Sequence, residues 1–210
     1  MSGRVELRSI TTKLITGLVG LAAVVALPAS GRSEDVEAIA AKLKAASERF
    51  IDVNVALAEG YIRDPHDMCI TAEMEGQPAE KGAMGIHFFR PDVLGITATE
   101  PRVDGKGTHT DFLKPSVVIY EPQADGSMKL VAVENLVFEK AWKEAGNDAP
   151  PSFAGHEWVH MIDRPDTEVD EAHGFQPHYE LHAWVFRDNP NGTFSPFNPA
   201  VTCEHHKPSH

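Results

Sequence analysis

The stretch Pro177-His178-Tyr179-Glu180-Leu181-His182-Ala183-Trp184-Val185-Phe186 carries the densest chemistry in this sequence. On an extended chain alternate residues share a face. Tyr179, Leu181, Ala183 and Val185 then face one way, and His178, Glu180, His182, Trp184 and Phe186 the other. Two imidazoles and a carboxylate project side by side, a donor set suited to a divalent transition metal such as Zn or Cu. The plain alternative is a solvent-exposed strand end with His and Glu as a surface pair. A third reading makes Trp184 and Phe186 the lining of an apolar pocket for a small molecule, with the His and Glu side chains at its mouth.

Two further residues stand out on other predicted strands. His87 lies in the apolar, small-residue run Gly82-Ala83-Met84-Gly85-Ile86-His87-Phe88-Phe89. Gly85 shares its face and permits close approach of another group. The alternative for His87 is a core histidine bonded to backbone. Glu134 falls in the row Leu130, Ala132, Glu134, Leu136, and a carboxylate in an apolar row must be paired, protonated or metal-bound. It is a candidate ligand, a partner that orients an imidazole, or a general base. On an edge hairpin it would simply reach solvent.

His156-Glu157-Trp158-Val159-His160 matches the HExxH spacing of zinc-dependent proteases. That chemistry needs a helix, and Pro150, Pro151, Gly155 and Pro165 around it argue against one. His205, His206 and His210 belong to a tail after Cys203, while His66, His109 and His173 sit in turn-like polar stretches. No G-x-S-x-G elbow, Walker A loop, GxGxxG, CxxCH or EF-hand loop is present.

The elements that must position these groups are legible in outline. Val36, Ile39, Leu43, Ala46, Phe50, Val53 and Leu57 step by 3 and 4, which predicts one long amphipathic helix over 34–59. Ser33 is its expected cap and Gly60 its expected stop. Strands are predicted at 83–89, 117–121, 130–138 and 179–187. Ala124-Asp125-Gly126-Ser127 joins the middle two as a hairpin. Residues 144–177 read as a long irregular excursion, and such loops tend to be functional or mobile. The expected fold is α+β, with the long N-terminal helix packed on a mainly antiparallel β-sheet.

Composition sets the setting for that chemistry. The chain has 210 residues, 42% hydrophobic and 24% charged, which suits one domain with a real core. A net charge of −12 argues against nucleic acid as a partner. Arg4, Arg8 and Lys13 precede the apolar run Leu14–Leu27, and Ala29-Ser30-Gly31 supplies small residues for cleavage. Residues 1–31 therefore read as a signal peptide, with 32–203 a single domain and 204–210 a His-containing tail. Removing 1–31 takes away Arg4, Arg8, Lys13 and Glu6 and moves the charge from −12 to −14. The alternative is an uncleaved N-terminal anchor. The expected location is periplasmic or secreted, with no membrane span after processing. Export permits a disulfide. Cys69 and Cys203 are the only two cysteines, and a bridge is the favoured reading over two free thiols.

Taken together, Gly82–His87, Leu130–Glu134, and His178–Trp184 running through Asn189-Pro190-Asn191-Gly192-Thr193-Phe194 to Cys203 resemble a group of small exported bacterial proteins of unknown function. The resemblance spans roughly residues 55–203 and implies no activity. The residues themselves point to a divalent transition metal held by His87, His178 and His182, with Glu180 or Glu134 as further ligand or support. The alternatives are the small-molecule pocket and a metal-dependent enzyme.

Overall fold

The N-terminal apolar stripe forms two helices rather than one. In this computed structural model, which describes the backbone of residues 30–208 and side chains from residue 35, α1 spans Ser30–Ser47. A 3₁₀ turn, Glu48–Ile51, follows, and then α2, Val53–Ala58. The break has a local cause. Asp52 adopts an extended conformation and its side chain accepts from the Asn54 N–H. An aspartate that caps a new helix competes with continuation of the old one. The first turn begins at Ser30, ahead of the expected cap at Ser33. Apart from Ser30 and Gly31, the expected signal peptide lies outside the described residues. Among the described residues no helix is long and apolar enough to cross a membrane.

Eleven strands follow among the described residues. These are β1 Ile62–Arg63, β2 Cys69–Thr71, β3 Ala83–Phe89, β4 Ile96–Ala98, β5 Asp104–Gly105 and β6 Val117–Pro122. After them come β7 Met128–Phe138, β8 Ser152–Phe153, β9 His156–Glu157, β10 Val159–Met161 and β11 His178–Ala183. Two more helices, α3 Pro91–Leu94 and α4 Glu139–Glu144, are single turns between them. The main sheet is antiparallel and seven-stranded, in the order β1-β3-β6-β7-β11-β10 with β2 also on β3. The α+β class and the mainly antiparallel sheet match the sequence reading, and β6 and β7 form the expected hairpin.

The sheet has two buried faces. One carries Ile86, Phe88, Val118, Tyr120, Val133, Val137, Tyr179 and Leu181, in one core cluster with Leu43, Phe50 and Ala56. The Tyr120 hydroxyl donates to the Phe50 carbonyl at 2.7 Å. The other face carries Phe89, Val117, Ile119, Ala132, Leu136, Phe138 and Trp184, with Leu94, Val103 and Phe175 over it. A sheet covered on both faces explains strands that are buried along their whole length, as β3 and β6 are.

One expected row is altered by a bulge. Ile119 pairs with Ala132 but Tyr120 with Leu130, so Val131 is an extra residue. An extra residue flips the alternation. Leu130 therefore clusters with Val133 and Val137, opposite the face of Ala132 and Leu136. Glu134 keeps its place beside the latter pair.

Cys69 and Cys203 form the disulfide, with Cα atoms 5.7 Å apart. It ties β2 to the C-terminal segment, which also exchanges two backbone hydrogen bonds with Ala83 through Asn198. The start of the tail is ordered into a turn, where the His206 N–H donates to the Cys203 carbonyl.

Candidate metal centre

Sheet register brings the site together on its second face. Glu134 of β7 pairs directly with His182 of β11. Residues in direct antiparallel register have Cβ atoms about 4.5–5.5 Å apart. His87 reaches the same spot diagonally from β3, where it pairs with Ile119. Gly85 makes this possible. It sits at φ +115, and a Cβ there would meet the Tyr120 carbonyl oxygen at 2.7 Å. His87 Nε2 lies 3.2 Å from Glu134 Oε2, and His182 Nε2 lies 3.5 Å from the same oxygen. Donor atoms around a tetrahedral ion with bonds of about 2.0–2.1 Å stand about 3.3–3.4 Å apart. The two nitrogen–oxygen separations are close to that, and the three ligand atoms all lie within 4.8 Å of one another.

A second triad lies further along β11. His178 Nε2 is 3.3 Å from Glu180 Oε2, and His173 Nε2 is 3.8 Å from that oxygen. Glu75 Oε1 is another 3.8 Å from His173 Nε2. The expected ligands His87, His178, His182, Glu180 and Glu134 thus share one buried face. They do not converge on one point: His178 and Glu180 stand with His173, and His87 and Glu134 with His182.

All seven side chains are buried, from 0% exposure at His178 and Glu180 to 6% at His87 and His173. The exposed-strand alternative for His178–His182 does not hold, and neither does the edge position for Glu134, since β7 runs between β6 and β11. Yet Glu75 Oε1, His87 Nε2, Glu134 Oε2, His173 Nε2, Glu180 Oε1 and His182 Nε2 lack well-formed hydrogen bonds. Buried polar atoms are satisfied in the great majority of cases, so six at one place require an explanation. A void of about 10 Å³ opens among Asp64, His87, Glu134 and His173, room for about one water-sized sphere.

Protonation follows from this crowding. Burial pushes the His87 imidazole down to about 4 and also lowers His182. Burial raises Glu75 to about 8, and raises Glu134 to about 7 against the pull of His182. At His173 burial opposes the charge, but the Glu180 carboxylate outweighs it and raises the ring to about 9. Burial likewise opposes the Glu180 charge, and His173 and His178 overcome it and hold that carboxyl well below its usual range. The metal-free cluster is a proton-sharing network around one His173–Glu180 ion pair.

The tautomer of His178 is set by backbone. Its Nδ1 lies 2.9 Å from the Gln176 carbonyl oxygen, which can only accept. In the neutral ring Nε2 is then left with its lone pair turned toward Glu180 Oε2. Two electron-rich atoms face to face call for a proton or a cation between them.

His173 has no counterpart in the strand pattern. It comes from the long excursion, in a turn where its N–H donates to the Asp170 carbonyl and its φ is +36. Arg102 ties that loop down by donating to the Phe175 carbonyl and to Asp170. The available sequence signal was the apolar pair Ala172 and Phe175 around His173-Gly174 in an otherwise acidic stretch. Glu75 ends a 3₁₀ turn, Ala72–Glu75, and carried no signal beyond its spacing from buried Ala72.

Other candidates separate from the cluster. The strand alternation ends at Ala183, where the Val185 N–H donates back to the Ala183 carbonyl. Trp184 stacks on His182 at 5.8 Å and joins the site-side core, whereas Phe186 packs against the opposite core. The two side chains thus stand in different core clusters. His156 and His160 lie on extended strands, β9 and β10, so the protease-like spacing has no helix. His156 packs on Phe194, and His160 stacks on Tyr179 and pairs with Glu139 at 3.2 Å.

No protein-family model, curated protein or solved structure matches this chain.

Proposed function

We propose that this chain is an exported domain that binds a divalent transition metal, Zn or Cu by its donor chemistry, inside the sheet's buried His/Glu cluster. One observation carries the reading: six buried ligand-type atoms face one another without adequate hydrogen bonds. Imidazole and carboxylate donors favour Zn or Cu over Mg or Ca. His87, Glu134 and His182 hold the ion, and Glu180 Oε1, 3.8 Å from His182 Nδ1, supports the ring from behind. The carboxylate–histidine–metal arrangement fixes tautomer and ring direction.

The likeness to small exported bacterial proteins over roughly residues 55–203 fits this reading, as do the signal-peptide pattern at 1–31 and the disulfide. The periplasm or the extracellular medium is the corresponding location. The N-terminal helical segment acts as a cover for the sheet face opposite the metal, a role supported by the core that Leu43, Phe50 and Ala56 share with β3, β6 and β7.

A second reading, metal-dependent catalysis or small-molecule binding, draws on a groove of about 870 Å³. Glu75, Met161, Ile162, Arg164 and Phe197 are among its walls. Glu75 belongs to both groove and cluster, which makes it the point of entry for a bound molecule to the metal. Zinc titration of the metal-free chain, with His182→Ala and a variant ending at Cys203 as controls, tests the leading reading. Tight uptake lost in His182→Ala and kept without the tail supports it. Weak uptake equal in the first two and lost with the tail refutes it.

A further inference from the structure

The cluster offers more ligands than one ion can use. We propose, building on the metal-binding reading, that it is a two-ion centre: His87, Glu134 and His182 hold one divalent cation, and His173, His178 and Glu180 hold a second.

Three observations carry this. The first is geometric. Each triad presents two imidazole nitrogens and one carboxylate oxygen, all mutually within 4.8 Å, and the two sets share no residue. Their separations are 3.2 and 3.5 Å in one and 3.3 and 3.8 Å in the other. Both suit ions bound at about 2.0–2.2 Å.

The second is the balance of charge. Asp64, Glu75, Glu134 and Glu180 are all at most 5% exposed and surround the same four imidazoles. None of the leading electrostatic influences on Glu75, Glu134 or Glu180 comes from a lysine or arginine. Buried charges need partners. Asp64 is already met by His66 at 3.4 Å, which leaves Glu134 and Glu180 as one carboxylate for each triad, with Glu75 3.8 Å from His173.

The third is the way Glu180 joins the halves. Its Oε2 faces His178 and His173, and its Oε1 faces His182 Nδ1 at 3.8 Å. Bound to the second ion through Oε2, Glu180 would keep Oε1 turned toward His182 Nδ1, 3.8 Å away. It is then a ligand of one ion and a positioning residue for the other. The ring of His87 stacks on that of His173 at 5.9 Å, so the two sites are immediate neighbours. Two adjoining divalent ions with carboxylate support suit a phosphoryl oxyanion. An oxyanion entering past Glu75 is the matching ligand class.

Cobalt(II) titration of the metal-free full chain, followed by d–d absorbance and native mass spectrometry, tests the proposal. The expected result is a break at two equivalents and a mass gain of two ions. His173→Asn is expected to bind one equivalent with the first-site spectrum retained, and His87→Asn one equivalent with the second-site spectrum. Glu180→Gln is expected to weaken both sites, the supported one by about 10–100-fold. Melting of each metal-free variant against the parent checks folding. One equivalent in the parent, lost in His182→Ala and unchanged in His173→Asn, overturns the two-ion proposal and keeps the single-metal reading. No tight uptake by the parent refutes both.

Discussion

Glu134 stands directly opposite His182 in antiparallel register, and its Oε2 lies 3.5 Å from His182 Nε2 at the centre of a fully covered sheet. A carboxylate there needs either a proton or a cation. Everything expected of the cluster follows from that choice.

Glu134→Gln separates the two states. Burial raises Glu134 to about 7, so near neutral pH the metal-free protein already holds much of it as the uncharged acid. The amide copies that form. The expected change in metal-free stability is within about 1 kcal/mol, since burial of a neutral isostere leaves packing intact. Metal affinity falls by a factor of 100 or more. Denaturant melts in chelator, set beside a zinc titration, read the two effects separately. Unchanged affinity would remove Glu134 from the site.

The metal-free protein is expected to lose stability as pH rises from about 6 to 9. His173 is raised to about 9 and Glu75 to about 8, above ordinary values of about 6.5 and 4.3. The native state therefore binds more protons than the unfolded chain between those limits. Stability then falls with rising pH, over about 6.5–9 for His173 and about 4.3–8 for Glu75. His87, lowered to about 4, works in the opposite sense and adds stability as pH rises from about 4 to 6.5. Metal uptake displaces protons, so affinity rises with pH over the range where metal-free stability falls. Denaturation midpoints at pH 6, 7.5 and 9, with and without zinc, show whether the two trends oppose. A flat metal-free profile would contradict the assigned proton network.

Gly85→Ala is expected to damage both fold and site. The new Cβ would sit 2.7 Å from the Tyr120 carbonyl oxygen at a φ of +115. Both features disfavour alanine, at a cost of about 2 kcal/mol or more. The strain falls between β3 and β6, two residues from His87. Thermal melting and metal affinity are both expected to drop. A neutral result would mean that β3 can shift without moving His87.

Reducing the Cys69–Cys203 bridge, or replacing both residues with serine, is expected to lower stability by up to about 5 kcal/mol in the chain-entropy picture. The closed loop is long, with the cysteines 134 positions apart. Because β2 and Ala83 are held by the same C-terminal segment, metal affinity is expected to weaken less than stability. Urea melts with and without reductant supply the first quantity, and zinc titration of the double serine variant the second.

The double variant His156→Ala, His160→Ala is expected to bind metal like the parent. Their strands are extended, and His160 is engaged with Tyr179 and Glu139. Competition against a chromophoric zinc chelator checks this. A lost equivalent would return these histidines to the site.

Much of this was legible in one dimension. Strict alternation put His178, Glu180 and His182 on one face because a strand has a period of two, whatever surrounds it. An apolar run marked His87 as buried, while the apolar row around Glu134 fits both a buried ligand and an edge residue reaching solvent. An Asp-Gly turn between two β-rich runs specified the β6–β7 hairpin through local backbone preference. The long N-terminal helix was misread because the apolar spacing runs on through Asp52, whereas the break there turns the buried face, burying Ala56 and leaving Leu57 exposed. Leu130 was misplaced because a bulge is a property of two strands, and only one is visible in a local pattern.

Residue types, face alternation and the pairing of two lone cysteines were thus set by the sequence on its own, since they depend on neighbours a few positions away or on simple counting. The grouping of the ligands was decided by tertiary structure. His173 meets Glu180 through the docking of the loop before Gln176, which exchanges backbone hydrogen bonds with Val103 and accepts from Arg102, and Glu75 meets His173 from a turn nearly one hundred residues earlier in the chain. Long-range register and loop docking carry no local sequence period, so neither the sixth ligand nor the division into two triads could be read before the chain was folded.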